Sequence, residues 1–360
     1  MIIGHGGNKA ALARELNCPA DEIIDMSANL NPLGPPEWIR AVMTEHLSDL
    51  HSLPEPDARS MIQGFARFHD IDPDTVMAGN GTTWFIYTLP LALGAKKVMI
   101  LGPTYSDYAD ACRMHGIEPA HWLAGPENGF EPDLSSVSDM AADADLVFVC
   151  NPNNPTGVLL EPAFITELLR RHPGVCFVVD ESYLPFVGAG ERFSLIRAGT
   201  FPNLLVLSSM SKIFAIPGLR TGFLSGAGSV IDQVMAFYQP WSVNALAQAV
   251  IKDIYDHPER IAPFYEKTRA YIQAEKRFFL EAVAGLPGLL PVAGCTGFVL
   301  AHLPQHTAPD VCRRVGRDRI LIRDCSNFLG LDHRFVRFSL KDRATSLKLA
   351  ASLQRAMIHD

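Results

Sequence analysis

Six short apolar runs, at residues 75–78, 97–101, 146–150, 176–179, 204–207 and 221–224, are separated mostly by helix-length segments. This alternation constrains the fold more than any other feature. A run that is apolar throughout, such as Leu146-Val147-Phe148-Val149-Cys150, suits a strand covered on both faces. Strands alternating with helical segments such as 162–171 argue for an α/β fold, with a mostly parallel sheet between layers of helices. Near Pro240 the pattern changes, and a helical tract from Ala245 to about Ala284 precedes short strands at 298–301 and 336–339. A chain of 360 residues is long enough for two domains. The expected organisation is an N-terminal arm (1–27) packing with the small domain, a large domain (28–240) and a smaller α/β C-terminal domain (241–360).

The most chemical segment runs from Ser208 to Gly222 and contains Lys212, Ser209, Ser211 and Arg220. A lysine amine forms a Schiff base with a carbonyl when it is held in place and partly deprotonated by desolvation or nearby positive charge. The two hydroxyls and the fork-shaped guanidinium suit a phosphate. An aldehyde that carries a phosphate matches both halves, and pyridoxal 5′-phosphate is such a molecule. The plain alternative is a serine-rich turn before a Gly-Leu loop.

Two upstream runs bear on that choice. Residues 175–179 lead into Asp180-Glu181-Ser182-Tyr183, and a carboxylate at a strand's C-terminal end faces the ligand crevice of an open α/β sheet. Asp180 is suited to keep a pyridine nitrogen protonated, which makes the ring an electron sink. Residues 146–150 lead into Asn151-Pro152-Asn153-Asn154-Pro155-Thr156-Gly157, where an asparagine, like Tyr183, can donate to a ring phenolate. Taken singly, Asp180 reads as a helix cap and Asn154 as a turn residue. Gly79-Asn80-Gly81-Thr82-Thr83 follows the first run and opens an apolar segment, a strand-to-helix turn whose free N–H groups suit a phosphate.

Together these motifs resemble the fold-type I pyridoxal-phosphate enzymes of the class I/II aminotransferase group. More narrowly they are similar to the threonine-phosphate decarboxylases of cobalamin biosynthesis, with the histidinol-phosphate aminotransferases as near relatives. The narrower resemblance rests on His5-Gly6-Gly7-Asn8, on residues 27–34 (SANLNPLG), on Pro240-Trp241-Ser242-Val243-Asn244-Ala245 and on residues 320–332 (ILIRDCSNFLGLD). It implies that Gly81, Thr82, Ser209, Ser211 and Arg220 hold the cofactor phosphate and that Tyr105 stacks on the ring. It also implies that Asn154, Asp180 and Tyr183 contact the cofactor, and that Lys212, Asp180 and Tyr105 act in catalysis. His5, Arg323 and Arg337 would grip the substrate, with Asn31 and Asn154 as further contacts. Each arginine has an ordinary alternative as a surface ion pair, and Tyr105 has one as a core aromatic.

The resemblance implies decarboxylation of L-threonine 3-O-phosphate. Serine-phosphate decarboxylation, transamination of histidinol phosphate and a non-catalytic pyridoxal-phosphate-binding regulator are the alternatives. It further implies a homodimer, although Leu53 in His51-Ser52-Leu53-Pro54-Glu55-Pro56-Asp57 stands where relatives place a tyrosine that reaches the neighbouring subunit's cofactor.

A net charge of −8 argues against nucleic acid and anionic membranes as partners, so an anionic substrate needs a local cluster of cations. Seven scattered cysteines show no C-x-x-C spacing, and twelve histidines show no H-E-x-x-H, so no metal is expected. Unpaired cysteines and the lack of a signal-peptide pattern at residues 1–7 point to the cytoplasm, and no apolar stretch reaches the length of a membrane span.

Overall fold

The structure, a computed structural model, describes residues 6–198 and 201–358. A short strand β1 (Ile24–Asp25) precedes a seven-stranded sheet built from β2 (Val76–Asn80), β3 (Val98–Gly102), β4 (Ala120–Leu123), β5 (Leu146–Cys150), β6 (Cys176–Asp180), β7 (Leu204–Ser209) and β8 (Thr221–Gly226). Their spatial order is β2-β8-β7-β6-β5-β3-β4. The run from β7 to β4 is parallel, whereas β8 lies antiparallel between β7 and β2.

Helices cover both faces, which is why the inner strands β3, β5 and β6 are almost wholly apolar. Along β5 the side chains alternate between two cores. Leu146, Phe148 and Cys150 pack with Phe85, Leu89 and Tyr108, while Val147 and Val149 pack with Val137, Ile165 and Leu168. The six runs anticipated from the sequence are all strands. The seventh, β4, escapes that reading because Ala120-His121-Trp122-Leu123 is a half-exposed edge strand with no continuous apolar signature.

A second sheet has the order β12-β13-β10-β9, formed by β9 (Leu290–Pro291), β10 (Phe298–His302), β12 (Arg323–Asp324) and β13 (Phe335–Ser339). Strand β11 (Ile320–Leu321) pairs in parallel with β1, tying the N-terminal segment beside this sheet. The tract after Ala245 is two helices rather than one, Ala245–Asp256 and Ile261–Val283, broken where Pro258 removes a main-chain donor. The first packs on the helix Arg59–His69, where Gly64 lets Tyr255 approach so closely that a Cβ at 64 would stand 2.8 Å from the Tyr255 Cβ.

Phe65 stacks on Phe223 of β8 with ring centroids 4.0 Å apart, and both are fully buried. This contact seats the strand that returns from the lysine segment. Phe223→Ala is expected to cost about 3–5 kcal/mol by loss of burial plus a cavity, read as a lowered denaturation midpoint with an unchanged m-value.

Candidate active site

The C-terminal ends of the parallel strands meet at one edge of the sheet. Cys150 pairs with Asp180, and Asp180 with Leu207, so the ends of β5, β6 and β7 lie side by side. Lys212 follows β7 on the single helical turn Met210–Ile213. The edge opens into a cleft of about 400 Å³ lined by Thr82, Tyr105, Asn154, Asp180, Tyr183 and Lys212, and closed from the second sheet by Arg323 and Arg337. Residues more than 300 positions apart in sequence thus share one cavity, since Gly6 and Gly7 also line it.

At one end Gly81 begins the helix Gly81–Ala92 with φ 75°, a left-handed conformation suited to glycine. A Cβ there would stand 2.6 Å from Arg220 Nη2, and a Cβ at Gly222 would stand 2.5 Å from the Thr82 main-chain nitrogen. Arg220 donates to Thr83 Oγ1 at 3.4 Å and to the Pro217 carbonyl at 3.3 Å. A guanidinium, threonine hydroxyls and a helix N-terminus therefore converge there, the donor set an anion requires. Ser209 and Ser211 are buried beside this corner and do not line the cleft, and the Ser211 hydroxyl donates to the Thr221 carbonyl at 3.3 Å.

Burial drives the Lys212 amine below its ordinary pKa, with Arg220 adding to the effect and Asp180 opposing it. A larger unprotonated fraction makes the amine a better nucleophile. Burial pushes the Asp180 carboxyl up, while hydrogen bonds from Ser182 and Tyr108 and the charge of Lys212 pull it down. Tyr108 Oη donates to Asp180 Oδ2 at 2.9 Å, and the Ser182 N–H donates to Oδ1 at 2.9 Å. The Tyr105 hydroxyl donates to Asp107 at 2.7 Å, and burial, then Asp107, raise that phenol far above its usual range. Tyr105 thus offers the cleft a ring rather than an acid.

Burial also raises Tyr183, to about 12. Asn29 Nδ2 donates to the Tyr183 oxygen at 3.3 Å, and Asn29 Oδ1 accepts from Ser339 Oγ at 2.8 Å. Arg323 and Arg337 are register partners on β12 and β13. Arg337 donates to Asn154 Oδ1 and, at 2.8 Å, to the Ser27 carbonyl, while its Nε is buried without a hydrogen-bond partner. Arg323 donates to Asn327 Oδ1 at 2.6 Å and lies over the Phe328 ring.

Most of the residues singled out from the sequence line the cleft, and Gly81, Ser209, Ser211 and Arg220 form the corner beside it. His5 lies outside the described residues. Asn31 does not reach the cleft, because its amide donates to the Ile213 carbonyl at 2.7 Å and Thr268 at 2.9 Å and its oxygen accepts from the Leu33 N–H. It braces the lysine turn, and the asparagine of that segment that lines the cleft is Asn29. Tyr108, Asn29 and Ser182 were not anticipated. Only the spacing of Tyr108 three residues beyond Tyr105, one helical turn on, carried any trace of it. Among the described residues no His, Cys, Asp and Glu cluster suits a metal ion, and no helix is long and apolar enough to cross a membrane.

A family model, aminotransferase class I and II, matches residues 21–353. The chain belongs to that family. A threonine-phosphate decarboxylase of Salmonella typhimurium is 30% identical over 360 residues, covering 98% of this chain and 96% of that protein. An adenosylcobalamin biosynthesis bifunctional protein, CobDQ, of Leptospira interrogans is 28% identical over 351 residues, which cover 96% of this chain and 40% of that longer protein. The crystal structure of an L-threonine-O-3-phosphate decarboxylase from Porphyromonas gingivalis superimposes with a TM-score of 0.82 at 31% identity, covering 92% of this chain and 99% of that one. The fold is that of the fold-type I pyridoxal-phosphate enzymes, and pyridoxal 5′-phosphate is the cofactor.

The donors fit that group. A phosphate needs the anion corner at Gly81, and an aldehyde needs a depressed lysine amine. Gly81→Ala would force a side chain against Arg220 in a backbone region that disfavours it. It is expected to weaken cofactor binding by about tenfold, about 1.4 kcal/mol, in a fluorescence titration of the apoprotein, whose circular dichroism stays unchanged.

Proposed function

We propose that the chain decarboxylates L-threonine 3-O-phosphate, giving carbon dioxide and (R)-1-aminopropan-2-yl phosphate for the nucleotide loop of cobalamin. The observation that carries this reading is the pair of buried guanidiniums, Arg323 and Arg337, which face the cleft with no carboxylate at ion-pair distance among the described residues. An unpaired buried cation is costly, so two of them side by side are the counterpart of a substrate with more than one negative charge.

The cofactor, when bound, supplies an electron sink that weakens whichever Cα bond stands perpendicular to its ring. The protein sets the rest. Lys212 would meet the aldehyde and hold the proton to be returned to Cα. Asp180 would keep the ring nitrogen protonated, and Tyr105 would stack on the ring. Tyr183 and Asn154 would donate to the phenolate oxygen, and Arg220, with Gly81 and Thr82, would hold the phosphate, backed by Ser209 and Ser211. Arg323 and Arg337, with His5, would bind the substrate phosphate, which would leave the substrate carboxylate as the group free to depart as carbon dioxide.

Single-turnover measurement with purified holoprotein and L-threonine 3-O-phosphate should release carbon dioxide and restore the starting cofactor spectrum. Serine phosphate lacks one methyl and should be turned over less efficiently, by about 10- to 200-fold in kcat/KM. Arg323→Met should lower kcat/KM by about a hundredfold or more, as expected for removing a buried, charge-binding group. Conversion to the pyridoxamine form with histidinol phosphate, without carbon dioxide, would instead make the chain an aminotransferase. An intact lysine-bound cofactor with no turnover of any of these would favour a regulator.

The same reading includes a cytoplasmic homodimer. Seven free cysteines fit a reducing compartment. Exposed Leu47, Leu50 and Leu53 form an apolar stretch before the helix Arg59–His69, a surface suited to a second copy. Sedimentation equilibrium should give twice the chain mass, and a monomer at micromolar concentration would remove that part of the reading.

A further inference from the structure

Tyr108 sits on the helix Asp107–Met114 and is fully enclosed. Its ring stacks on Phe148 with centroids 5.0 Å apart and planes 14° apart, and it meets Tyr105 edge-on at 5.8 Å. The hydroxyl of that clamped ring lies beside the Cys150 thiol and donates to Asp180 Oδ2 at 2.9 Å. The other carboxylate oxygen is taken by the Ser182 N–H. The titratable groups around Asp180 are Tyr108 on its helix, Cys150 on β5, Lys212 on the turn after β7, the adjacent Glu181 and Tyr183 three residues on. Among the described residues no arginine, histidine or lysine stands at ion-pair distance from the carboxylate.

We propose that Tyr108 is the positioning residue that keeps Asp180 ionised and aimed at the cofactor's ring nitrogen. Burial alone would drive the carboxyl toward its neutral form, in which it cannot hold a pyridinium. An arginine or histidine at Tyr108's place would reverse that, but it would also neutralise the charge that the ring nitrogen needs. A phenol does neither. It is uncharged, and burial followed by the charge of Asp180 raises it so far that it donates a hydrogen bond without surrendering the proton. Hydrogen bonds to ionised groups are also stronger than those to neutral ones, so the hydroxyl favours the carboxylate over the acid.

The inference rests on Asp180 as the partner of the ring nitrogen, and a double-mutant cycle separates the two claims. Tyr108→Phe, Asp180→Asn and the double variant are titrated as apoproteins with free pyridoxal 5′-phosphate, and the ring nitrogen of the 15N-labelled bound cofactor is followed by NMR. Tyr108→Phe should weaken cofactor binding about tenfold and move the nitrogen resonance toward its unprotonated position. In the Asp180→Asn background the same change should alter binding by less than about twofold, because the group through which Tyr108 acts is gone. Equal effects of Tyr108→Phe in both backgrounds, or an unmoved resonance in the single variant, would overturn the proposal. If Asp180→Asn by itself left binding and resonance unchanged, the assignment of Asp180 would fail first. Should the phenylalanine variant not fold, 3-fluorotyrosine at position 108 keeps the ring and strengthens the donor. It should leave cofactor binding and the protonated nitrogen resonance intact, and a move toward the unprotonated position would overturn the proposal equally.

Discussion

Two opposite charges, Lys212 and Asp180, are buried in the same cleft, and much of the architecture is arranged so that both can stay there. Each is driven toward neutrality by loss of water. Each is also opposed by something fixed, Asp180 for the lysine and Ser182 with Tyr108 for the carboxylate, while Arg220 adds to the drift of the lysine. On the proposed reading the lysine would use part of that drift toward neutrality, whereas the aspartate would have to resist it. The asymmetry comes from the neighbours, since the nearest influence on Lys212 after burial is a cation and the nearest on Asp180 are hydrogen-bond donors.

The sheet makes this possible. Parallel strands place their C-terminal ends along one edge, where β5, β6 and β7 bring Cys150, Asp180 and Leu207 together in register, with Ser209 two residues further along β7. Because both faces are covered by helices, the only exit for polar groups is that edge. The second sheet adds two more cations that have no carboxylate at ion-pair distance among the described residues, Arg323 and Arg337 side by side on β12 and β13. Ser27 and Asn29 bridge the two parts, the first through its carbonyl to Arg337 and the second through Tyr183 and Ser339.

Much of this was legible in one dimension. Continuous apolar runs marked six strands because strands covered on both faces have no polar alternation, and β4 was invisible because it is a half-exposed edge strand without such a run. The lysine segment, the Asp180 strand end and the asparagine loop were legible because their chemistry demands particular residue types next to one another. Asn31 was misread for a reason that composition cannot remove. Asn29 and Asn31 are two positions apart, both are buried, and only packing decides that one faces the cleft and the other the lysine turn.

By itself the sequence determined the layered α/β fold and the cofactor, and it named residue types that the cleft gathers, since these follow from local periodicity and from chemistry carried on short stretches of chain. Tertiary structure alone decided which hydroxyl holds Asp180 and which asparagine holds Tyr183. It also decided that the arginines at 323 and 337 stand together without an acid. Those are contacts across 72, 154 and more residues. Hydrogen bonds and buried charges act over a few ångströms, so their partners are set by where the chain folds back and not by what stands next in the sequence.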